Sequence, residues 1–420
     1  MRSRNSLFII AFVALVVLFP VNAGTILGAG SGANWWWIVG GLLFALPSTI
    51  VILELAERDG SPLRSLQKGG HLSHAGALGI WVAGTIATFS AAVASITFLG
   101  RAFNLNLPIV IQGVLAIALA ALGVLAWRSR LWAPILLVGG VALGLVVLIA
   151  LISLYPPGSN SPLVTSEPST TSGIGGWTWL GVVVLALVGA HEPFQRASLR
   201  PVARKAVITG MLLVLLGYIV LTFVLARLFE GDLAKAQSFT ALADMGARIS
   251  PSMGNITALL VAIAFAATTV ATGSAFRELG DDLGLPSAST LGVVVGAGLV
   301  CSVLLPLIAH GDDSGATASA ESYAITQGTS ALLWALGYFV LGVVALRVSA
   351  NAVVRLAGVL TAILGLIGAA GVLQGSFTPA LSTSAWVIWI VALSAAAIVL
   401  TWLGKKEVDH LHHEHAQPTT

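Results

Sequence analysis

Two ionisable side chains stand side by side at Gly189-Ala190-His191-Glu192-Pro193, after a mostly apolar run from Trp177 to Ala190. An imidazole titrates near neutral pH, so His191 and Glu192 could carry a coupling proton. An ionisable group at membrane depth costs about 2.5–3.5 kcal/mol, so its presence points to function. The run is about 14 residues, shorter than the ~20 a spanning helix needs. Glycine, two ionisable groups and proline at its end describe a discontinuous helix. Such a break frees main-chain amides and carbonyls to grip a solute or ion. The alternative is an ordinary span that ends here, with both side chains at the inner headgroups.

A second candidate break lies near the N-terminus. Pro20 disrupts the first apolar run, and Asn22, Gly24 and Thr25 follow before Gly28-Ala29-Gly30-Ser31-Gly32. The competing reading is a proline-kinked helix followed by a loop. Further along, Thr268, Thr269 and Thr272 share one helical face by their i, i+3, i+4 spacing, with Ser274 close by. Thr85, Thr88, Ser90 and Ser95 form a weaker pattern of the same kind. These hydroxyls either line a solute path or hydrogen-bond between helices. Glu54 falls at the inner end of its span, where it can snorkel to water. His410, His412, His413 and His415 crowd the C-terminal tail and are good ligands for Zn²⁺, Ni²⁺ or Cu²⁺, but lack a fixed geometry. No P-loop, H-E-x-x-H, G-x-S-x-G or paired-cysteine motif occurs. Built-in ATP coupling is therefore not expected, nor is a cofactor, a metal centre within the spans or an enzymatic site.

The elements that position these residues are membrane helices. Of 420 residues, 57% are hydrophobic and only 9% charged, and the mean hydropathy is +0.96. Soluble domains carry about 25% charge, so a soluble enzyme, a nucleic-acid-binding domain and a disordered chain are excluded. The net charge of +3 gives no reason to expect a polyanion partner. The 46 glycines suit close helix packing in lipid. Cys301 has no partner with which to form an intramolecular disulfide.

Twelve apolar stretches are long enough to span: 7–23, 35–55, 78–99, 107–127, 131–154, 175–193, 207–229, 256–275, 291–309, 330–346, 356–373 and 385–403. An N-terminus inside the cell leaves only Arg101, Arg227, Lys235 and Arg248 of the 20 Lys and Arg outside. That bias supports a multi-pass protein of the cytoplasmic membrane with both termini cytoplasmic. The N-terminal stretch also reads as a secretory signal ending at Val21-Asn22-Ala23, whose removal would leave eleven spans. The transmembrane domain covers 1–404, with a His-rich tail at 405–420. Pro156–Ile174 reads as an outer linker, His310–Gly328 as a solvated acidic loop, and Leu233–Ile249 as a short amphipathic helix on the outer surface.

The chain resembles the amino acid/polyamine/organocation superfamily, and within it the permeases that export methionine and branched-chain amino acids. The likeness rests on VLFPVNAGTILGAGSGANWWWIVGGLLFALPSTIVILELAERDGSPL, VLALVGAHEPFQRASLRPVARKAVITGML, AFAATTVATGSAFRELGDDLGLP and LLWALGYFVLGVVALRV, and it extends over nearly the full length. It implies an all-α fold of two inverted five-helix repeats, about 6–155 and 175–347, with two peripheral helices in 354–404. It also implies an amino acid substrate held mid-membrane between the broken first and sixth spans. The expected substrate-binding set is Asn22, Gly24, Thr25, Gly189, His191, Glu192, Thr268 and Thr272, with His191 and Glu192 as proton carriers. Lining up Pro20 with the family's proline puts Val13-Ala14-Leu15 where the family carries Gly-Ser/Thr-Gly. The sixth-span Gly-x-Glu is one residue longer here. The expected function is secondary transport of amino acids or related small solutes by alternating access, with export and coupling to H⁺ as the expected mode. The rival class keeps the fold without transport, as a sensor or partner subunit. A third class, a metal transporter, rests on the histidine tail alone. Substrate, direction and oligomeric state are not legible in the residues.

Overall fold

The computed structural model describes residues 2–68, 70–126, 131–154, 175–195, 203–229, 232–286, 288–299 and 315–373. Every regular element among them is helical. Among the described residues, seven helices are long and apolar enough to cross a membrane, and a pair bent by 49° makes eight if it is one span. The expected twelfth span, the outer linker, the histidine tail and residues 310–314 of the acidic loop lie outside the described residues.

The first span is α1 (Arg2–Val17), then a break, then α2 (Asn22–Thr25) and a 3-10 segment Ile26–Gly32. The second span joins α3 (Ala33–Gly40) to α4 (Leu46–Asp59) through a π-helical turn at Gly41–Ala45. It stops at Gly60, whose φ of 78° is left-handed and whose N–H donates to the Ala56 carbonyl. That is a glycine helix stop. Then come α5 (Pro62–Lys68), α6 (His71–Ala102), α7 (Ile109–Leu125) and α8 (Trp132–Ser153). The second half opens with α9 (Gly175–Ala186), another break and the 3-10 turn Glu192–Gln195. It continues with α10 (Ala203–Leu228), α11 (Leu233–Ala236), α12 (Ala241–Ala247) and α13 (Pro251–Asp282). The last are α14 (Ser289–Leu299), α15 (Gly315–Val348) and α16 (Ala352–Leu373). Each half therefore begins with a broken span and has a 32-residue helix, α6 or α13, as its third span.

The centre is built on α6, α13 and α15, with α1 and α9 packed into it. Buried polar groups tie these helices together. The Trp81 indole N–H donates to the Phe276 carbonyl at 3.0 Å, Ser95 to Ala262 at 2.9 Å and Ser330 to Ala83 at 2.7 Å. α8 is apolar on its exposed side too, with Val138, Val141 and Leu148 uncovered. An apolar face of this kind has lipid as its solvent. Close approach of backbones replaces the hydrophobic effect between helices in lipid. At Gly123 of α7, a Cβ would come within 2.7 Å of the Thr269 carbonyl oxygen on α13. Backbone cannot yield, so Gly123→Val should destabilise the protein by about 1–3 kcal/mol, as overpacking does. Thermal unfolding in detergent would show it as a lower midpoint; an unchanged midpoint contradicts this contact.

Two expectations about loops are corrected. Leu233–Ile249 does not lie on the membrane surface as one amphipathic helix. It forms α11 and α12, which dock into the protein with Ala236, Leu242, Ala243 and Met245 buried. Its apolar residues meet α13 and the first span rather than lipid. The expected loop through Gly328 is helical from Gly315 on, so α15 begins fifteen residues before the expected Ser330. Ser, Thr and Ala in that stretch lower its hydropathy without preventing helix.

Candidate functional site

Proline creates both breaks. Pro20 has no N–H, so the Val16 carbonyl loses the partner an α-helix would supply four residues on. Helical bonding ends with the Leu18 N–H on the Ala14 carbonyl at 2.9 Å. In the sixth span Pro193 removes the partner of the Gly189 carbonyl in the same way. That carbonyl accepts from the Glu192 N–H instead, at 2.9 Å, which tightens the chain into the 3-10 turn. Gly189 has a φ of +120°, a conformation open to glycine and strained for other residues.

The two breaks meet. A Cβ on Gly189 would lie 3.1 Å from Val17 Cγ2, 3.2 Å from the Val16 carbonyl oxygen and 3.6 Å from Glu192 Oε1. Glu192, His191 and Gln195 are all 0% exposed. Both Glu192 carboxylate oxygens and His191 Nε2 lack a hydrogen-bond partner. The Thr272 hydroxyl is the polar side chain that approaches the carboxylate, without reaching hydrogen-bond geometry. Unpartnered charge-bearing atoms in a sealed interior are expensive, and a ligand or proton is the usual remedy.

Two tyrosines take up the amides that the breaks release. The Gly189 N–H donates to the Tyr338 hydroxyl at 3.0 Å, and His191 Nδ1 lies 3.0 Å from the same oxygen. The Phe19 N–H donates to the Tyr218 hydroxyl at 3.0 Å. That hydroxyl faces two carbonyls, Val17 at 2.8 Å and Ala186 at 3.3 Å. Both tyrosines are fully buried. Both Glu192 oxygens and one imidazole nitrogen are the side-chain atoms left without a partner at the breaks.

The other expected residues divide. Asn22 approaches the Tyr218 hydroxyl and so belongs to the first break. Thr268 donates to the Leu15 carbonyl at 2.9 Å and lies 3.0 Å from the Ala264 carbonyl, which fastens α13 to the end of α1. Gly24 and Thr25 lie beyond the break. A Cβ on Gly24 would come 2.4 Å from the Ala236 carbonyl oxygen, and the Thr25 carbonyl accepts from Gln237 Nε2 at 3.2 Å. They hold α11 rather than the Glu192 cluster. Val13-Ala14-Leu15 are helical, and the break falls after Val17. Glu54 Oε1 accepts from Ser349 at 3.5 Å, so it ties α4 to the end of α15 as well as lying near an interface. Among the described residues no group of three His, Cys, Asp or Glu stands close enough together to hold a metal ion. Tyr218, Tyr338, Val16 and Gln195 were not in the expected set. The chain has only four tyrosines, and a phenol in an apolar span needs a partner, which is the signal that would have found two of them.

Among the described residues, polar and aromatic contacts flank the cluster. On one side, Arg64 makes a bidentate pair with Asp282, Nε–Oδ2 at 3.2 Å and Nη2–Oδ1 at 2.9 Å. The hydrogen bond to Asp282 raises the Arg64 pKa above its ordinary value. Beside it, Ser61 donates to Gln195 Oε1 at 3.2 Å and Gln195 Nε2 donates to the His191 carbonyl at 3.3 Å. On the other side, aromatic contacts run from Phe19 to Phe265, Phe98 and Phe239. Arg101 pairs with Asp244 at 3.3 Å on that face. A cleft of about 690 Å³ opens there, lined by Thr97, Arg101, Asn104, Gln112 and Thr240 among others, with no residue from either break.

No family model and no curated protein matches the sequence. Solved structures do match. The chain is similar to the Eremococcus coleocola manganese transporter in complex with an aromatic bis-isothiourea substituted compound. The TM-score is 0.61 and the identity 14%, over 96% of this chain and 95% of that one. A histidine-to-alanine mutant of that transporter matches with TM-score 0.60 at 14% identity, and a glutamate-to-alanine mutant with TM-score 0.60 at 15%, at the same coverage. The fold is that of a polytopic membrane transporter.

Proposed function

We propose that this chain is a secondary transporter that moves a small solute by alternating access, with the solute held between the breaks at Val17–Asn22 and Ala186–Glu192. One observation carries the reading: Glu192 is sealed from solvent where the two broken spans meet, and both its oxygens lack a partner. A buried site between two broken spans is what an occluded step of such a cycle requires. His191 and Glu192 are the proposed carriers of a coupling proton.

The open groups favour a positively charged moiety on the solute. The Gly189 and Phe19 amides, which could hold a carboxylate, already donate to tyrosine hydroxyls. An amino acid would place its ammonium at Glu192 and would have to displace one of those tyrosine bonds for its carboxylate. A cation such as the one named for the manganese transporters would take Glu192, His191 Nε2 and the Val16 carbonyl. Resemblance to the amino acid exporters supports the first cargo and the structural neighbours support the second. The orientation with both termini in the cytoplasm belongs to the same proposal.

The test is an uptake screen in proteoliposomes with amino acids, organic amines and Mn²⁺, each with and without a pH gradient. We expect one of these cargoes to be driven by the pH gradient and to compete with protons. No flux for any of them would overturn transport. Solute-dependent thermal stabilisation without flux would favour the sensor class instead.

A further inference from the structure

The Tyr218 hydroxyl lies where the two broken spans come together. It accepts from the Phe19 N–H, and its single hydrogen has two carbonyls within reach: Val17 of the first break at 2.8 Å and Ala186 of the second at 3.3 Å. One O–H donates fully to one acceptor, so the shorter contact takes it here and the other waits. The ring is held independently of the hydroxyl. It stacks on Trp37 at 4.1 Å with an interplanar angle of 8°. The Trp37 indole N–H donates to Thr222 at 2.9 Å, and Thr222 donates to the Ala23 carbonyl at 2.9 Å. Tyr338 contrasts with this, because its contacts at the breaks, Gly189 N–H and His191 Nδ1, belong to the second break alone.

We infer that Tyr218 is a positioning residue that makes the two breaks move as one, its hydroxyl hydrogen passing between the Val17 and Ala186 carbonyls as the broken spans shift. The hydroxyl bonds main chain at both breaks, with the Asn22 side chain approaching it from the first, so it acts on solute through the breaks. While one carbonyl is served the other goes without this donor, so the two breaks compete for a single hydrogen. Sharing one donor makes the arrangement two-state, which is what coupling between two elements requires. The tie rests on these hydrogen bonds alone; its part in transport rests on the carrier reading.

Tyr218→Phe keeps the stacked ring and removes the tie. Hydrogen–deuterium exchange of the reconstituted protein reads it without any solute. Amides at 18–21 and at 187–191 should both exchange about tenfold faster, the loss expected for one buried hydrogen bond. Tyr338→Phe should accelerate 187–191 only. Acceleration at one break alone in Tyr218→Phe, or at neither, overturns the tie. A pH-sensitive dye in solute-free proteoliposomes gives the second readout. Proton leak per folded molecule should rise several-fold in Tyr218→Phe, whereas simple destabilisation would lower the folded amount and leave that ratio unchanged. An unchanged leak overturns the role in coupling. If Tyr218→Phe does not insert, the wild-type protein carries the test: the two segments should open with the same temperature dependence, and differing dependences reject the tie. Failure of the uptake screen would reject transport while leaving the exchange result to decide the tie.

Discussion

Glu192→Gln is expected to abolish proton-coupled flux while the protein still inserts and folds. The substitution keeps the volume and removes the charge. In the wild-type protein both carboxylate oxygens are buried without partners, so no ion pair within the resting protein is broken by the change. A bound cation would lose its counter-charge. Breaking one side of a buried charge pair costs about 3–5 kcal/mol, which corresponds to a fall of roughly 10²–10⁴-fold in affinity. Proton coupling should vanish with it, since an amide does not titrate in the working range. Thermal stability should hold or rise, because the uncompensated carboxylate is gone. Uptake that stays driven by a pH gradient at wild-type rate would reject Glu192 as carrier of either charge.

The second large effect is expected at Gly189. An alanine there must adopt φ near +120°, a strained conformation that costs about 1–3 kcal/mol. Its Cβ would also press on the Val16 carbonyl oxygen at 3.2 Å and Val17 Cγ2 at 3.1 Å, in the gap between the breaks. Relief by rotating the peptide would pull the Gly189 N–H away from Tyr338 and turn His191. Either route disturbs the site, so Gly189→Ala should lower transport by roughly tenfold or more for the same strain energy. The helices away from the breaks should be unaffected, and detergent-purified protein should remain monodisperse. Wild-type flux in Gly189→Ala would mean that the second break does not form part of the path.

Much of this was legible in the residues because the signals are chemical. Pro20, and Gly189 with Pro193, mark breaks by missing N–H groups and a special φ, and the helices do part there. His191 and Glu192 stand out as ionisable groups in an apolar run, and they are buried together. The long apolar runs announce helices, since lipid leaves the backbone no other partner. What was not legible depends on three-dimensional partnership. Thr268 and Thr272 share a face, yet one hydroxyl is committed to Leu15 and the other approaches Glu192. Gly24 and Thr25 follow the same proline as Asn22, but one turn carries them onto α11. The tyrosines that cap the freed amides lie 199 and 149 residues from their partners. No local spacing reveals a pair so distant. α15 began earlier than hydropathy implied, because small hydroxyl residues are compatible with helix but not with a strong apolar score.

The central claim is that a solute lodges where the two broken spans meet. The most direct measurement is an experimental density map of the protein with its transported cargo bound, taken after the uptake screen has identified that cargo. The account predicts density within hydrogen-bonding reach of Glu192, between the Val16 carbonyl and His191, with both spans interrupted as described here. Cargo bound elsewhere, such as in the cleft beside Arg101, or continuous helices through Pro20 and Gly189 would contradict it.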